Sequence, residues 1–291
     1  MTDTATNMKT VTLDAGLVSY RESGSGDPIL FVAGFLNDGT HWRKVVPLLE
    51  GEHRCIVTDW PLGSHRVAMH PDADLTPPGL ARIVAEFMDA LELENVTLVG
   101  NDTGGAICQL VATRHPERLG RLVLTPCDAY ENFLPPMFRP LQVLGRIPGA
   151  IFAIGQSMRL TAVRHAPNGF GWLVKHGPDP ELTRGWVEPA LESAEVRRDI
   201  AKVLKGISNR YTLEAAERLA DFDRPTLLAW APEDRFFKFK YAERLAAAIP
   251  DSRLERIADA YTYVSEDQPE RLAELISSFV RETQPQPAAR R

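Results

Sequence analysis

Cysteine is scarce: Cys55, Cys108 and Cys127 are three in 291 residues, an odd number without the short paired spacings of a metal site. All three fall in segments that read as buried strand or helix, where a thiol behaves as a small hydrophobe. Positive charge is also short. Thirty-three Lys and Arg against 39 Asp and Glu give a net charge of -6, and no basic run precedes the C-terminal end, so the electrostatic footprint of a nucleic-acid binder is absent. No apolar run approaches the ~20 residues of a membrane span. Residues Met1 to Thr10 are polar and lack the basic-then-apolar order of a secretory leader, so a cytoplasmic location without membrane partners is expected. No strand is followed by Gly-x-Gly-x-x-Gly and no His/Cys cluster occurs, so neither a metal nor another cofactor is expected. Histidine is thin at one end: none follows His176.

What is present is ordinary globular chemistry, 44% apolar and 25% charged, enough for one large core with an inserted subdomain. Lys9 to Leu13 and Leu17 to Ser23, joined by Asp14-Ala15-Gly16, read as an opening hairpin. Ile29 to Ala33 is a continuous apolar run, as expected of a strand buried on both faces, and it ends in Gly34-Phe35. A helix capped by Thr40 is expected through Leu49, a strand over Arg54 to Asp59, and a helix over Gly79 to Leu91. Arg121 to Thr125 is another buried strand. Strands alternating with helices at this spacing predict an α/β class with a mainly parallel sheet covered on both sides.

The alternation stops near Asp128, where helical periodicity takes over to about Ala220, and resumes with Pro225 to Trp230 (strand), Lys240 to Ile249 (helix), Arg253 to Ile257 (strand) and Pro269 to Glu282 (helix). The expected organisation is a core of residues 1-127 and 221-282, a helical insertion at 128-220, and a disordered tail at 283-291. At the centre stands Thr97 to Val111, a strand, a tight turn and a helix, whose Gly100-Asn101-Asp102-Thr103-Gly104 has the form of a nucleophile elbow with aspartate at its tip. Glycines flank such a residue because the turn brings backbone segments too close for a β-carbon.

These features resemble the α/β-hydrolase superfamily, and within it the haloalkane dehalogenase and epoxide hydrolase branch, which uses an elbow aspartate. The resemblance covers most of residues 9 to 282 and implies an α/β-hydrolase fold with a cap after the sixth strand. It implies Asp102 as nucleophile and Asp234, in Trp230-Ala231-Pro232-Glu233-Asp234, as the acid, with Asp128 as the other candidate. The backbone N–H groups of Phe35 and Thr103 would form the oxyanion hole. The family's histidine, in Asp-x-Gly-His-aromatic, corresponds here to Thr262 in Asp259-Ala260-Tyr261-Thr262-Tyr263. In the family's two-step reaction a carboxylate attacks carbon and histidine then activates the water that cleaves the ester.

Threonine is not a base near neutral pH. His65, His165 and His176 are the histidines considered for that task. Dehalogenases of this type place tryptophan directly after the nucleophile, where this chain has Thr103; epoxide hydrolases use cap tyrosines, for which Tyr130 and Tyr211 are candidates. An apolar pocket is expected from Trp60, Phe35, Phe133, Met137, Phe138, Trp172 and Trp186, with Thr262 beside it, and it implies a hydrophobic small-molecule substrate. Arg66, Arg159, Arg164, Arg197 and Arg198 are the cations available to an anionic one. Three readings stand: a hydrolase with Asp102 as nucleophile; a cyclase, isomerase or lyase with Asp102 as general base; or a ligand-binding pseudoenzyme. No sequence feature addresses oligomeric state.

Overall fold

A computed structural model describes residues 8–284. The sequence expectations for the extreme N-terminus and for most of the 283-291 tail lie outside those residues. Eight strands form one sheet: β1 (Lys9–Leu13), β2 (Gly16–Ser23), β3 (Pro28–Val32), β4 (Arg54–Thr58), β5 (Val96–Asp102), β6 (Leu119–Cys127), β7 (Thr226–Trp230) and β8 (Ser252–Arg256). Their order is β1-β2-β4-β3-β5-β6-β7-β8. β1 and β2 pair antiparallel, β2 pairs antiparallel with β4, and every other neighbour is parallel. The chain leaves β3 towards β4 and returns to place β5 on the other side of β3. This reversal opens a crevice at the carboxyl ends of β3 and β5, and Gly34-Phe35 and Asp102 flank it.

Both faces are covered. The helices Pro77–Ala90 and Thr103–Arg114 pack with Leu30, Val32, Leu98 and Leu122 on one side, and Pro269–Glu282 covers Ile29, Phe31, Val99 and Val123 on the other. Two local expectations need correction. The helix expected from Thr40 to Leu49 is two short pieces, a 3-10 turn at Gly39–Trp42 and a helical turn at Val46–Leu49. Its cap is Asp38, whose carboxylate accepts from the Thr40 N–H at 2.9 Å and from the Thr40 hydroxyl.

Between β6 and β7 the chain supplies helices and turns only. The helices are set apart by turn and capping residues. Pro140–Leu144 and Ala150–Ser157 are separated at Gly145 to Gly149, and Pro180–Glu192, Ala194–Gly206 and Asn209–Arg218 are separate helices, two of them capped by Ser193 and Ser208.

This helical layer is clasped to the sheet side by Asp199, on Ala194–Gly206 and fully buried. Its Oδ2 accepts from the Met69 N–H at 2.8 Å and lies 3.3 Å from His65 Nε2, while Oδ1 accepts from the Arg198 guanidinium at 2.8 Å. Burial opposes its charge, but the hydrogen bonds from His65, Met69 and Arg198 outweigh burial and hold the carboxyl below the usual range. Asp199→Ala is expected to cost about 3–5 kcal/mol in denaturant unfolding, because it leaves His65 and the Met69 N–H unpaired. The depressed acid dictates the pH sense: the wild-type advantage is present above the unfolded carboxyl value and is lost as pH falls through the folded one.

Candidate active site

The elbow's geometry follows from close packing. A β-carbon on Gly104 would lie 2.4 Å from the carbonyl oxygens of Val32 and Ala33, and one on Gly100 would lie 2.7 Å from Cys108 Sγ. Only glycine lets the helix Thr103–Arg114 begin against the end of β3. Asp102 itself sits at φ 54°, ψ -132°, a strained conformation for a residue with a side chain. Its carboxylate is held against Gly34, where a β-carbon would come within 2.6 Å of Asp102 Cβ and 2.8 Å of Oδ2.

Asp102 Oδ1 accepts the Thr103 N–H at 2.6 Å, and the Thr103 hydroxyl lies 3.3 Å from that oxygen and 3.3 Å from Asp128 Oδ2. Burial raises Asp102 to about 6, a value moderated by the Thr103 N–H, the Thr103 hydroxyl and the Tyr263 hydroxyl. Asp128 is pushed well up by burial and then by the Asp102 charge, so of the two it keeps the proton. Near neutral pH, Asp102 is the ionised partner.

Nothing in the sequence singles out Tyr263, yet it forms part of the cavity wall at Asp102. Its hydroxyl donates to Asn37 Oδ1 at 2.9 Å, its N–H donates to Leu173 O at 2.8 Å, and its ring meets His41 edge-on with centroids 4.7 Å apart. Burial and then the Asp102 charge raise the phenol well above its ordinary value, so it stays protonated. His41, also absent from the sequence candidates, is fully buried with Nε2 at 3.0 Å from Ser265 Oγ. Desolvation lowers it to about 3, and it is neutral.

Asp234 occupies the expected turn after β7. Its Oδ1 accepts the N–H groups of Phe236 and Phe237 at 2.7 and 2.6 Å, while Oδ2 is buried without a partner. Burial lifts it to about 7 against the Phe237 N–H, the Thr262 hydroxyl and the Phe236 N–H. The Thr262 hydroxyl is likewise buried and makes no well-formed hydrogen bond, and its backbone carbonyl accepts from Asn101 Nδ2 at 2.8 Å. Asp234 and Thr262 are therefore neighbours, as acid and histidine would be. Asp128 instead faces Thr103.

A cavity of about 100 Å3 opens over Asp102. Phe35, Leu36, Phe237 and Tyr263 wall it from the sheet side, and Leu134, Phe138, Leu141, Ile154, Met158 and Phe170 from the helical side. Neither Lys nor Arg lines it, and neither does His. A second apolar space of about 50 Å3 shares the Phe35, Leu36, Leu141, Ile154 and Met158 walls and continues towards Ala190 and Leu204.

Residues 27–269 match the family model described as the alpha/beta hydrolase fold. The chain belongs to the α/β-hydrolase family. This α/β-hydrolase is 27% identical over 283 residues to a cis-3-alkyl-4-alkyloxetan-2-one decarboxylase of Shewanella oneidensis, spanning 91% of this chain and 85% of the relative. It is 28% identical over 276 residues to haloalkane dehalogenase 2 of Mycobacterium tuberculosis, spanning 90% of each. Among solved structures, a putative ancestral haloalkane dehalogenase superposes with a TM-score of 0.77 at 24% identity, covering 95% of this chain and 99% of that one. The protein is an α/β-hydrolase-family enzyme.

Not all sequence candidates meet at the cavity of this α/β-hydrolase. Asp102, Thr103, Phe35 and Phe138 line it. Trp60 does not: it is buried in the core, where its Nε1 donates to Phe31 O at 3.0 Å. Tyr130 lies under the Arg244 guanidinium at 3.7 Å, and Tyr211 is stacked by Arg210 at 4.4 Å, so both rings serve packing away from the cavity. Phe133, Met137, Trp172 and Trp186 are outside the lining, and Trp186 donates to Asp38 Oδ1 at 3.1 Å and Thr40 Oγ1 at 2.9 Å. Of the histidines considered, His65 belongs to the Asp199 clasp, His165 meets Thr183 Oγ1 at 3.0 Å, and His176 is exposed beside Asp259. Arg66, Arg159, Arg197 and Arg198 do not reach the cavity. Arg164 is buried, donating to Met158 O at 2.7 Å and Thr183 Oγ1 at 3.0 Å.

Proposed function

We propose that this enzyme uses the Asp102 carboxylate as a nucleophile on an apolar small molecule and regenerates it by elimination, without a water step. The observation that carries this reading is the pairing of an accessible, ionised Asp102 with Thr262 at the position beside Asp234 where a water-activating base would stand. An alkyl ester on Asp102 then needs a substrate that discharges it unaided. A β-lactone bearing alkyl groups on its two sp3 ring carbons does so, and the similarity to an oxetanone decarboxylase supports that class.

The steps balance without co-reactant. Asp102 attacks the ring carbon that bears oxygen; a new C–O bond to Asp102 forms as the ring C–O bond breaks, freeing a carboxylate. The C–CO2 bond then breaks, its electron pair becomes the alkene π bond, and the ester oxygen leaves as the restored Asp102 carboxylate. The cavity favours the second step. With neither Lys nor Arg in its lining, a carboxylate is poorly solvated there and loses CO2 to escape that cost. The Thr103 N–H steadies the non-attacking Asp102 oxygen, and the Phe35 N–H is the second oxyanion donor in this scheme. Tyr263, as the protonated phenol at the wall, turns its single O–H from Asn37 Oδ1 to the departing ring oxygen.

The test is incubation with a short-chain cis-3,4-dialkyl oxetan-2-one in 18O-labelled water. Alkene and CO2, with no label entering Asp102, are expected. A β-hydroxy acid as the product, with label in Asp102, overturns the reading in favour of hydrolysis. That second reading has its own support in the retained Asp234 and in the similarity to a haloalkane dehalogenase, whereas Thr103 offers no indole N–H to a departing halide.

Tyr263→Phe distinguishes the phenol's role. Since its hydroxyl lowers Asp102, the variant should raise that carboxyl, moving the acid limb of the kcat/KM profile upward from about 6. A loss in kcat of roughly 10²-fold is expected with it. An unmoved acid limb would place the hydroxyl outside the chemistry.

A further inference from the structure

The helical layer carries a face that the cavity does not use. From Asn132 to Pro178 the sequence has no Asp or Glu, but it has Arg139, Arg146, Arg159, Arg164 and Lys175; in a chain of net charge -6, this stretch is +5 and the remainder -11. Arg139, Arg146 and Arg159 are exposed and make no ion pair among the described residues. Exposed apolar side chains concentrate here too. Of ten strongly exposed large hydrophobics among the described residues, six lie between 137 and 163, including Val143 at 61%, Ile147 at 51%, Phe152 at 41% and Leu160 at 66%. Scattered single hydrophobics are normal on a protein surface, whereas a run of them with cations is a docking surface.

Cation and apolar groups are interleaved. Ile147 and Phe152 share one groove with Arg146, Arg197, Arg198 and Lys205, and the Arg197 guanidinium lies 4.9 Å above the Phe152 ring. Neither Asp nor Glu lines this groove; beside it Asp199 is buried on Arg198, and Glu195 accepts from Ser193 Oγ at 2.9 Å. The protruding residues come from short helices and the turns between them. The same segment supplies Leu134, Phe138, Leu141, Ile154 and Met158 to the apolar cavity.

We propose that this face docks on an anionic lipid bilayer surface, with Val143, Ile147, Phe152 and Leu160 entering the headgroup region and Arg139, Arg146, Arg159 and Lys205 meeting lipid phosphates. The chemistry is that of an interfacial surface, cations at headgroup level with apolar residues beneath them. Nothing in it spans a bilayer, and no helix among the described residues is long and apolar enough to do so. The expectation of no membrane partner rested on the lack of a spanning apolar run, which does not bear on surface docking. An apolar substrate partitioned in lipid would reach the cavity from the side that docks.

The test is flotation of the full chain with phosphatidylglycerol-containing vesicles and with pure phosphatidylcholine vesicles. Binding to the anionic vesicles alone, weakening with added salt, is expected. Arg146→Gln with Lys205→Gln should reduce it by roughly thirtyfold, since each cation near the surface contributes about a fivefold factor. Phe152→Glu with Leu160→Glu should reduce it by at least roughly tenfold. Thermal unfolding of both variants checks that the fold is kept. The proposal is overturned if the wild type fails to bind anionic vesicles at low salt, or if both variants bind unchanged. It is also overturned if sedimentation shows a dimer that Phe152→Glu with Leu160→Glu dissolves, because the face then belongs to a second copy.

Discussion

Asp102→Asn is expected to lower turnover by roughly four orders of magnitude while leaving a well-folded protein. The amide keeps the Thr103 N–H bond to its oxygen but can neither displace a leaving group nor serve as a base. Product formation from a β-lactone and adduct formation from an alkyl halide, read by intact-protein mass, should both vanish. Retained turnover in the variant would remove Asp102 from the chemistry under every reading. Stability supplies an independent check with a definite sign. The folded Asp102 is raised from 3.8 to about 6, so its favourable contribution is complete below the unfolded value and is lost as pH rises through 6. The ionised side chain then costs about 3 kcal/mol, shared with its buried neighbours. The Asn variant escapes that cost and should gain stability relative to wild type between pH 4 and 8 in thermal unfolding.

Thr262→His is expected to change the outcome of the reaction as well as its rate. In the wild type, an alkyl halide or epoxide that alkylates Asp102 should leave a persistent ester. A histidine at 262 would find Asp234 Oδ2, which now lacks a partner, ready to accept one ring N–H, leaving the other nitrogen to activate water. The adduct should then decay, with alcohol or diol appearing over several turnovers. Because Thr262 is fully buried, the larger side chain costs about 1–3 kcal/mol in overpacking, which unfolding measurements would register. A folded variant whose adduct persists would show that position 262 does not command the path of water to Asp102.

The scaffold was legible because its signals are local and repeated. Continuous apolar runs gave the buried strands, and Pro269 starts and Glu282 ends the last helix as expected. The elbow was legible because Gly100 and Gly104 are required by contacts of 2.7 and 2.4 Å that only a tight strand-to-helix turn creates. Asp234 followed from its place after β7. What sequence did not reveal was the direction of side chains on irregular backbone. Trp60 is close to the carboxyl end of β4, yet its indole turns into the core because Phe31 O offers it an acceptor there. Tyr130, at φ 53°, is carried away from the cavity to Arg244. Tyr263 adjoins Thr262 in the motif, and that adjacency was the available signal, but the chain bends there, and a bend sets side-chain directions that no sequence period reports. With Thr262 turned to Asp234, its neighbour faces Asp102.

The shared Thr103 hydroxyl between Asp102 and Asp128 gives the enzyme an electrical record of occupancy. Part of what keeps the Asp128 proton in place is the negative charge on Asp102, 26 residues earlier in sequence and one hydroxyl away in space. In the proposed reaction, alkylating Asp102 erases that charge, and Asp128 then holds its proton less tightly for as long as the ester lasts. Loading and unloading of the nucleophile are thereby coupled to proton affinity at a site that never touches the substrate.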